Sequence, residues 1–211
     1  MTTIIGFLIF LYSIILHEVA HGFVAERLGD PTAKLSGRLT LKIAPHLDVF
    51  TSIILPLLLI FSGSPVIFGS AKPVPIDPYN LRNPRKDMGL IGLAGPATNL
   101  ILAIILSLLA RVIIILFPSN FLLSILSHGV QANLVLAIFN LIPIPPLDGG
   151  RIAVAFLPGK ISNFLASLEP YGFFLILLFL LFPNSLFSLP DFISTIASFL
   201  FRLIFPQLPL V

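Results

Sequence analysis

The sequence predicts an all-α fold: a polytopic membrane helix bundle with one re-entrant segment and a short β element near the membrane surface. Three observations predict it. Of 211 residues, 57% are hydrophobic and 10% charged, where ordinary soluble domains carry roughly 25% charged residues. Mean hydropathy is +1.07. The apolar residues also gather in runs suited to a hydrocarbon layer of about 30 Å. The same arithmetic excludes a disordered chain, a collagen, a coiled coil and a nucleic-acid reader, each of which needs more polar or repetitive sequence. A net charge of +3 is too small to imply a polyanionic partner. With no cysteine, disulfides, thiolate metal sites and a cysteine nucleophile are out, so any metal must rest on His and carboxylates.

The first predicted helix runs from about Thr2 to Leu28. It lacks the basic start and small-residue cleavage site of a signal peptide, so Met1 to Leu16 is expected to stay in the mature protein. Arg38 to Ile43 alternates polar and apolar residues, which predicts a short strand or hairpin arm offering an edge to an extended segment. Val49 to Phe61 is only 13 residues long, a length that marks re-entrant or buried helices more often than spans. Arg27, Lys34, Arg38 and Lys42 precede it, and Lys72, Arg82, Arg85 and Lys86 follow it. Treating it as re-entrant leaves both basic loops in the cytoplasm. Further apolar segments are Leu90 to Phe117, Gly129 to Leu141, Tyr171 to Phe182 and Phe192 to Phe205, the last three short unless they extend into their flanks. Ser119 to His128 and Pro183 to Asp191 hold no Lys or Arg and are expected outside, with Arg151 and Lys160 back in the cytoplasm. Arg111 is expected to snorkel to the outer interface. The N-terminus is then external, and the first helix runs inward. Residues 1–211 read as a single domain, with a core at about 1–157 and C-terminal membrane helices at about 169–206.

His17-Glu18-Val19-Ala20-His21 is an HExxH sequence inside the first helix. Residues i and i+4 share a helix face one turn apart, so both imidazoles can grip one Zn²⁺. Glu18 then lies beside the metal, placed to hold a water and take its proton. In a soluble chain an HExxH is often fortuitous. Within a span, a charged carboxylate costs on the order of 2.5 to 3.5 kcal/mol near the centre, and such residues are usually paired and functional.

A catalytic zinc site takes three protein ligands and keeps a fourth position open. The candidate third ligand is Asp148, within Asn140-Leu141-Ile142-Pro143-Ile144-Pro145-Pro146-Leu147-Asp148-Gly149-Gly150-Arg151, a Pro-broken, Gly-terminated element closing a membrane helix. Broken backbone at that depth is tolerated only inside protein or beside water. Alone, Asp148 reads better as a cap on a helix starting at Gly149 or a partner for Arg151; beside the HExxH, ligation is the better reading. In Gly92-Leu93-Ala94-Gly95-Pro96-Ala97-Thr98-Asn99 small residues permit close helix contact. Asn99 and Asn140 read as buried amides, each either binding a substrate backbone or oxyanion or forming an interhelix bond. His46 and Asp48 are expected in loop or interface roles, and Tyr79 to Lys86 as a headgroup-facing stretch.

HEVAHG in the first helix, AGPATN in the middle and NLIPIPPLDGG later resemble the site-2 protease family of intramembrane zinc metalloproteases, peptidase family M50, in its short prokaryotic form. The resemblance runs from about His17 to Arg151 and takes in Gly29 to Lys34 and Gly69 to Pro75. It implies His17, His21 and Asp148 as ligands of one Zn²⁺ per chain and Glu18 as the catalytic residue. Asn140 and Asn99 correspond to motif asparagines, expected to bind substrate. The implied activity is hydrolysis of peptide bonds within or near transmembrane helices of protein substrates, in the bilayer, with no nucleic acid involved. Two rivals use the same residues: a transporter passing metal through His17, His21 and Asp148, and a silent scaffold that binds membrane helices. The basic loops yield a first prediction. Cysteines introduced singly at Ser36 and Asn83 are both labelled by an impermeant maleimide from the cytoplasmic side; opposite accessibility makes Val49 to Phe61 a true span.

Overall fold

Hydrocarbon offers no water to an open backbone, so a segment entering it must satisfy its own N–H and C=O groups, which helices do. The computed structural model describes residues 2–63, 71–181 and 188–206, and among these the regular structure is helical throughout. In order come α1 (Thr2–Leu28), α2 (Thr32–Leu35), α3 (Leu55–Phe61), α4 (Pro84–Leu116), α5 (Asn120–Asn140), α6 (Asp148–Phe156), α7 (Gly159–Ser167), α8 (Gly172–Leu181) and α9 (Leu189–Ile204). Four stretches are long and apolar enough to cross a membrane: Leu8–Leu28, Pro84–Leu116, Asn120–Asn140 and Gly159–Phe179, which runs from α7 into α8.

The expected β element is absent among the described residues. Arg38 to Ile43 lies beside the segment 71–77, but the two are joined through side chains instead of a backbone ladder. Arg38 Nη2 donates to Lys72 O at 2.6 Å and Pro73 O at 3.2 Å, and His46 Nε2 donates to Thr40 O at 2.8 Å. Nearby, Lys72 N donates to His46 O at 2.9 Å, backbone to backbone. The alternation of Leu39, Leu41 and Ile43 reflects a loop whose Leu39 turns in against Gly22. His46 and Asp48 take structural roles, Asp48 accepting from Phe50 N and Thr51 N to cap the next turn. That turn, Val49–Ile54, is a wide helical coil leading into α3. At about 1.5 Å per residue the two together reach about 20 Å, short of a span.

Helix boundaries also move. Ser119 to His128, expected as a loop, is the start of α5, with Ser119 Oγ accepting from Leu122 N and His128 Nδ1 bonding Ser124 O. Helix α4 begins at Pro84, where proline suits the first turn and the Asp87 carboxylate takes Asn83 N at 2.8 Å. Arg111 donates to Ile204 O at 3.0 Å, satisfying the end of α9, and Ser107 Oγ donates to the same carbonyl. The last turn of α9 therefore sits beside α4 near its far end, and α9 packs on α5. Of the loop expected at Pro183 to Asp191, residues 183–187 fall outside the described residues, as do Phe182, Gly69 and Ser70.

Helix α4 is the axis, packing on α1, α5 and α6. One face carries Gly89, Gly92, Gly95, Asn99, Ala103, Ser107 and Ala110, all buried, and the other presents exposed Ile101, Ile104, Ile105, Leu108, Leu109 and Val112. Small residues inward and large aliphatics outward are what lipid solvation dictates.

Asp30, fully buried, ties the end of α1 to the turn before α4. Its carboxylate accepts from Thr32 N (3.1 Å), Thr32 Oγ1, Asn80 Nδ2 (2.9 Å) and Asp77 N (2.8 Å). Burial pushes its carboxyl up, but these donors outweigh that and hold it below the usual carboxylate range. A depressed folded pKa stabilises the fold above the unfolded value, about 3.9, and that stability is lost as pH falls through the folded pKa. Asp30→Ala is expected to cost about 2 kcal/mol, by the worth of hydrogen bonds to a charged group. Thermal unfolding in detergent at pH 7 checks this, and the gap between wild type and variant narrows below pH 4.

Candidate metal centre

His17 and His21 project from successive turns of α1, and Asp148 opens α6, arriving beside them after the irregular segment 141–147. All three are buried, at 6%, 3% and 5% exposure. His17 Nε2 and His21 Nε2 stand 3.0 Å apart, and each is 3.1 Å from Asp148 Oδ2. The second carboxylate oxygen, Oδ1, faces Arg151 Nη1 at 3.8 Å. Asp148 is the first residue of α6 and caps nothing: the capping position is Leu147.

The outer ring nitrogens reveal the protonation pattern. His21 Nδ1 lies 2.6 Å from Ile91 O, an acceptor only, so Nδ1 carries the proton. His17 Nδ1 lies 2.6 Å from Asn99 Oδ1. The orientation of that amide is set by its other end, where Asn99 Nδ2 donates to Asn133 Oδ1 (2.9 Å) and Ser13 O (3.4 Å). Asn133 is fixed in turn, its Nδ2 donating to Ser13 Oγ and Gly129 O, both at 2.9 Å, while Ser13 Oγ donates to Ile9 O. Both rings thus hold their Nδ1–H outward, which leaves the two Nε2 atoms facing the Asp148 carboxylate. Three converging acceptors in a buried space call for a cation.

The donors fit zinc. Three ligands about 2.0 to 2.1 Å from a tetrahedral Zn²⁺ stand about 3.3 Å apart, within a few tenths of an ångström of the spacing seen. Two imidazoles and a carboxylate match the three-ligand catalytic pattern with one position open, while calcium and magnesium prefer all-oxygen shells. Among the described residues this is the one group of His, Cys, Asp and Glu side chains that could hold a metal ion. Helix α4 makes room for it. A Cβ at Gly95 would run into His17 Nε2 and His21 Nε2, and one at Gly92 would press on Asp148 O at 3.2 Å.

Glu18 is half-buried beside this cluster in sequence, and its Oε2 accepts from Val74 N at 3.0 Å. Asn99, fully buried, commits its amide to His17, Ser13 and Asn133. Asn140, at the end of α5, is half-buried and donates Nδ2 to Leu136 O at 3.0 Å. Sequence reasoning missed Ser13, Asn133 and Val74. For the first two a signal existed, lone polar residues within apolar helices; for Val74, a backbone donor, there was none.

The model of peptidase family M50 matches residues 5–127 and 116–182. The chain belongs to that family. Among similar proteins, YwhC of Bacillus subtilis, assigned as a zinc metalloprotease, is 38% identical over 179 residues, covering 82% of this chain and 78% of YwhC. Rip2 of Mycolicibacterium smegmatis, assigned likewise, is 32% identical over 82% of this chain. The zinc metalloprotease MJ0392 of Methanocaldococcus jannaschii is 30% identical over 73% of it. The match takes in 65% of Rip2 and 34% of MJ0392. No solved structure matches.

Asn99→Leu, which removes the acceptor from His17 Nδ1–H, is expected to weaken zinc affinity 10- to 100-fold, as loss of an outer partner of a metal-bound histidine does. Competition against a chromogenic chelator measures it. Ser107→Ala, which deletes a buried bond between α4 and α9 away from the cluster, is expected to leave affinity at the wild-type value.

Proposed function

We propose that the chain is an intramembrane zinc metalloprotease, hydrolysing peptide bonds within or beside the transmembrane helices of protein substrates. The observation that carries the reading is the meeting of three lone-pair donors, His17 Nε2, His21 Nε2 and Asp148 Oδ2, on a chain of a peptidase family. These residues would hold one Zn²⁺. When bound, zinc supplies Lewis-acid polarisation of a carbonyl and acidifies water.

The chain's own residues do the rest. Glu18 Oε1, which has no protein hydrogen bond among the described residues, takes the proton of the attacking water and returns it to the leaving amide nitrogen. His17 and His21, locked as Nδ1–H tautomers by Asn99 and Ile91 O, keep their lone pairs aimed at the centre. Asn99 acts here as a positioning residue, its amide being spent. Asn140 keeps Oδ1 for a substrate N–H. The substrate must unwind locally, since a carbonyl in an intact helix is bonded and shielded, so Gly, Pro or polar residues near the scissile bond favour cleavage. The site lies in the half of the bundle nearer the cytoplasm if the basic loops face it, and residues 1–211 act as one domain with Val49 to Phe61 re-entrant.

Glu18→Gln keeps the size and one carbonyl oxygen but cannot accept the proton. Cleavage of a single-span reporter in detergent or liposomes is expected to fall at least about a hundredfold, with bound zinc near one per chain by elemental analysis. Comparable turnover by the variant removes Glu18 as base; zinc flux in vesicles with no cleavage by any form replaces the protease with the transporter.

A further inference from the structure

The segment 71–77, ahead of the turn before α4, has no regular structure, yet three side chains from α1 and the residues that follow it hold it at successive points. Arg38 Nη2 takes Lys72 O and Pro73 O. Glu18 Oε2 takes Val74 N at 3.0 Å. Asp30 Oδ2 takes Asp77 N at 2.8 Å. Val74 is buried, at 6% exposure, and its Cγ1 fills the space where Gly22, one residue past His21, lacks a side chain. Arg38 is itself buried, at 8%. A solvated linker would leave these backbone groups to water; here each is answered by a charged side chain, the strong kind of hydrogen bond.

Residue order explains the geometry. Val74 lies between Pro73 and Pro75, so its N–H is the only backbone donor in a three-residue run. As the residue before a proline it is restricted to extended conformations. With the two preceding carbonyls turned to Arg38, that single N–H is directed at α1, at the residue that directly follows His17. Resting on the protease reading of Glu18, we propose that the Val74 backbone N–H is a positioning group for the general base, and that the segment Lys72 to Asp77, pinned by Arg38 and Asp30, forms a wall of the reaction chamber. The bond anchors one carboxylate oxygen of Glu18 and fixes the rotamer that presents the other to the substrate water. A carboxylate on a long, flexible side chain would otherwise sample several positions, and a displacement of about 1 Å can cost a hundredfold in rate.

Two measurements on the full chain in detergent test this. Hydrogen exchange at the Val74 amide needs neither metal nor turnover and is followed on zinc-depleted protein. Val74 is expected to be protected in wild type and in Glu18→Gln, which keeps an acceptor, and to exchange at least tenfold faster in Glu18→Ala. The Asp77 amide, held by Asp30, is expected to stay unchanged as an internal reference for folding. Equal Val74 exchange in wild type and Glu18→Ala overturns the contact. For turnover, Val74→Pro deletes the N–H while Val74→Ala retains it. At matched zinc content, kcat of the proline variant is expected at least about tenfold below that of the alanine variant, with KM within a few fold. Equal kcat overturns the positioning role, as does a loss confined to KM. A wild-type chain that cleaves no reporter overturns the protease reading, and the exchange arm still decides the contact between Glu18 and Val74.

Discussion

A polar atom within a lipid-solvated bundle has no water to fall back on, and the architecture follows from answering each one from inside the protein. The imidazole of His17 illustrates this. Its Nδ1–H requires an acceptor, Asn99 supplies it, the free end of Asn99 then requires Asn133, and Asn133 requires Ser13, which discharges its proton onto its own helix at Ile9 O. The chain of bonds begins and ends on α1 and passes through α4 and α5. It fixes the rotation of three helices about their axes as firmly as the packing of their side chains, because turning any one of them strands a donor in hydrocarbon.

Helix α4 mediates between this polar thread and the metal ligands. Its glycines bring α6 close enough for Asp148 to reach the two histidines, while Ile91 O, one turn earlier than Gly95, orients His21. Pro96 follows at once and interrupts the helical bonding of that turn, a point where carbonyl groups are free to find other donors. Each of the three small-residue positions meets a different partner: Gly89 meets Ala155 and Phe156, Gly92 the backbone of Asp148, and Gly95 the imidazoles.

Much of this was legible beforehand, for physical reasons. HExxH spacing is a helix periodicity, so the convergence of His17 and His21 follows from 3.6 residues per turn. Asp148 was legible only beside the HExxH, because two histidines leave a catalytic zinc site one protein ligand short; taken alone it read as a cap or a partner for Arg151. The bounds of α1 followed from unbroken hydrophobicity, whereas the start of α5 was hidden by Ser124, Ser127 and His128, polar residues that a helix tolerates where one face meets an interface. The missing strand shows the limit of period-2 patterns: alternation implies one buried face, but here Leu39 turns inward while Leu41 stays exposed, in a loop pinned by Arg38 and His46. Asn99 was recognised as buried, but its partner was not predictable, since the bond joins residues 82 positions apart.

Two members of the candidate metal centre lie 127 positions apart, His21 in the first helix and Asp148 in the sixth. At roughly 5 to 20 residues per second of synthesis, the histidines enter the membrane on the order of ten seconds before the carboxylate exists. Assembly of the three-residue group therefore waits on the last third of the polypeptide, after α1, α4 and α5 have all been made.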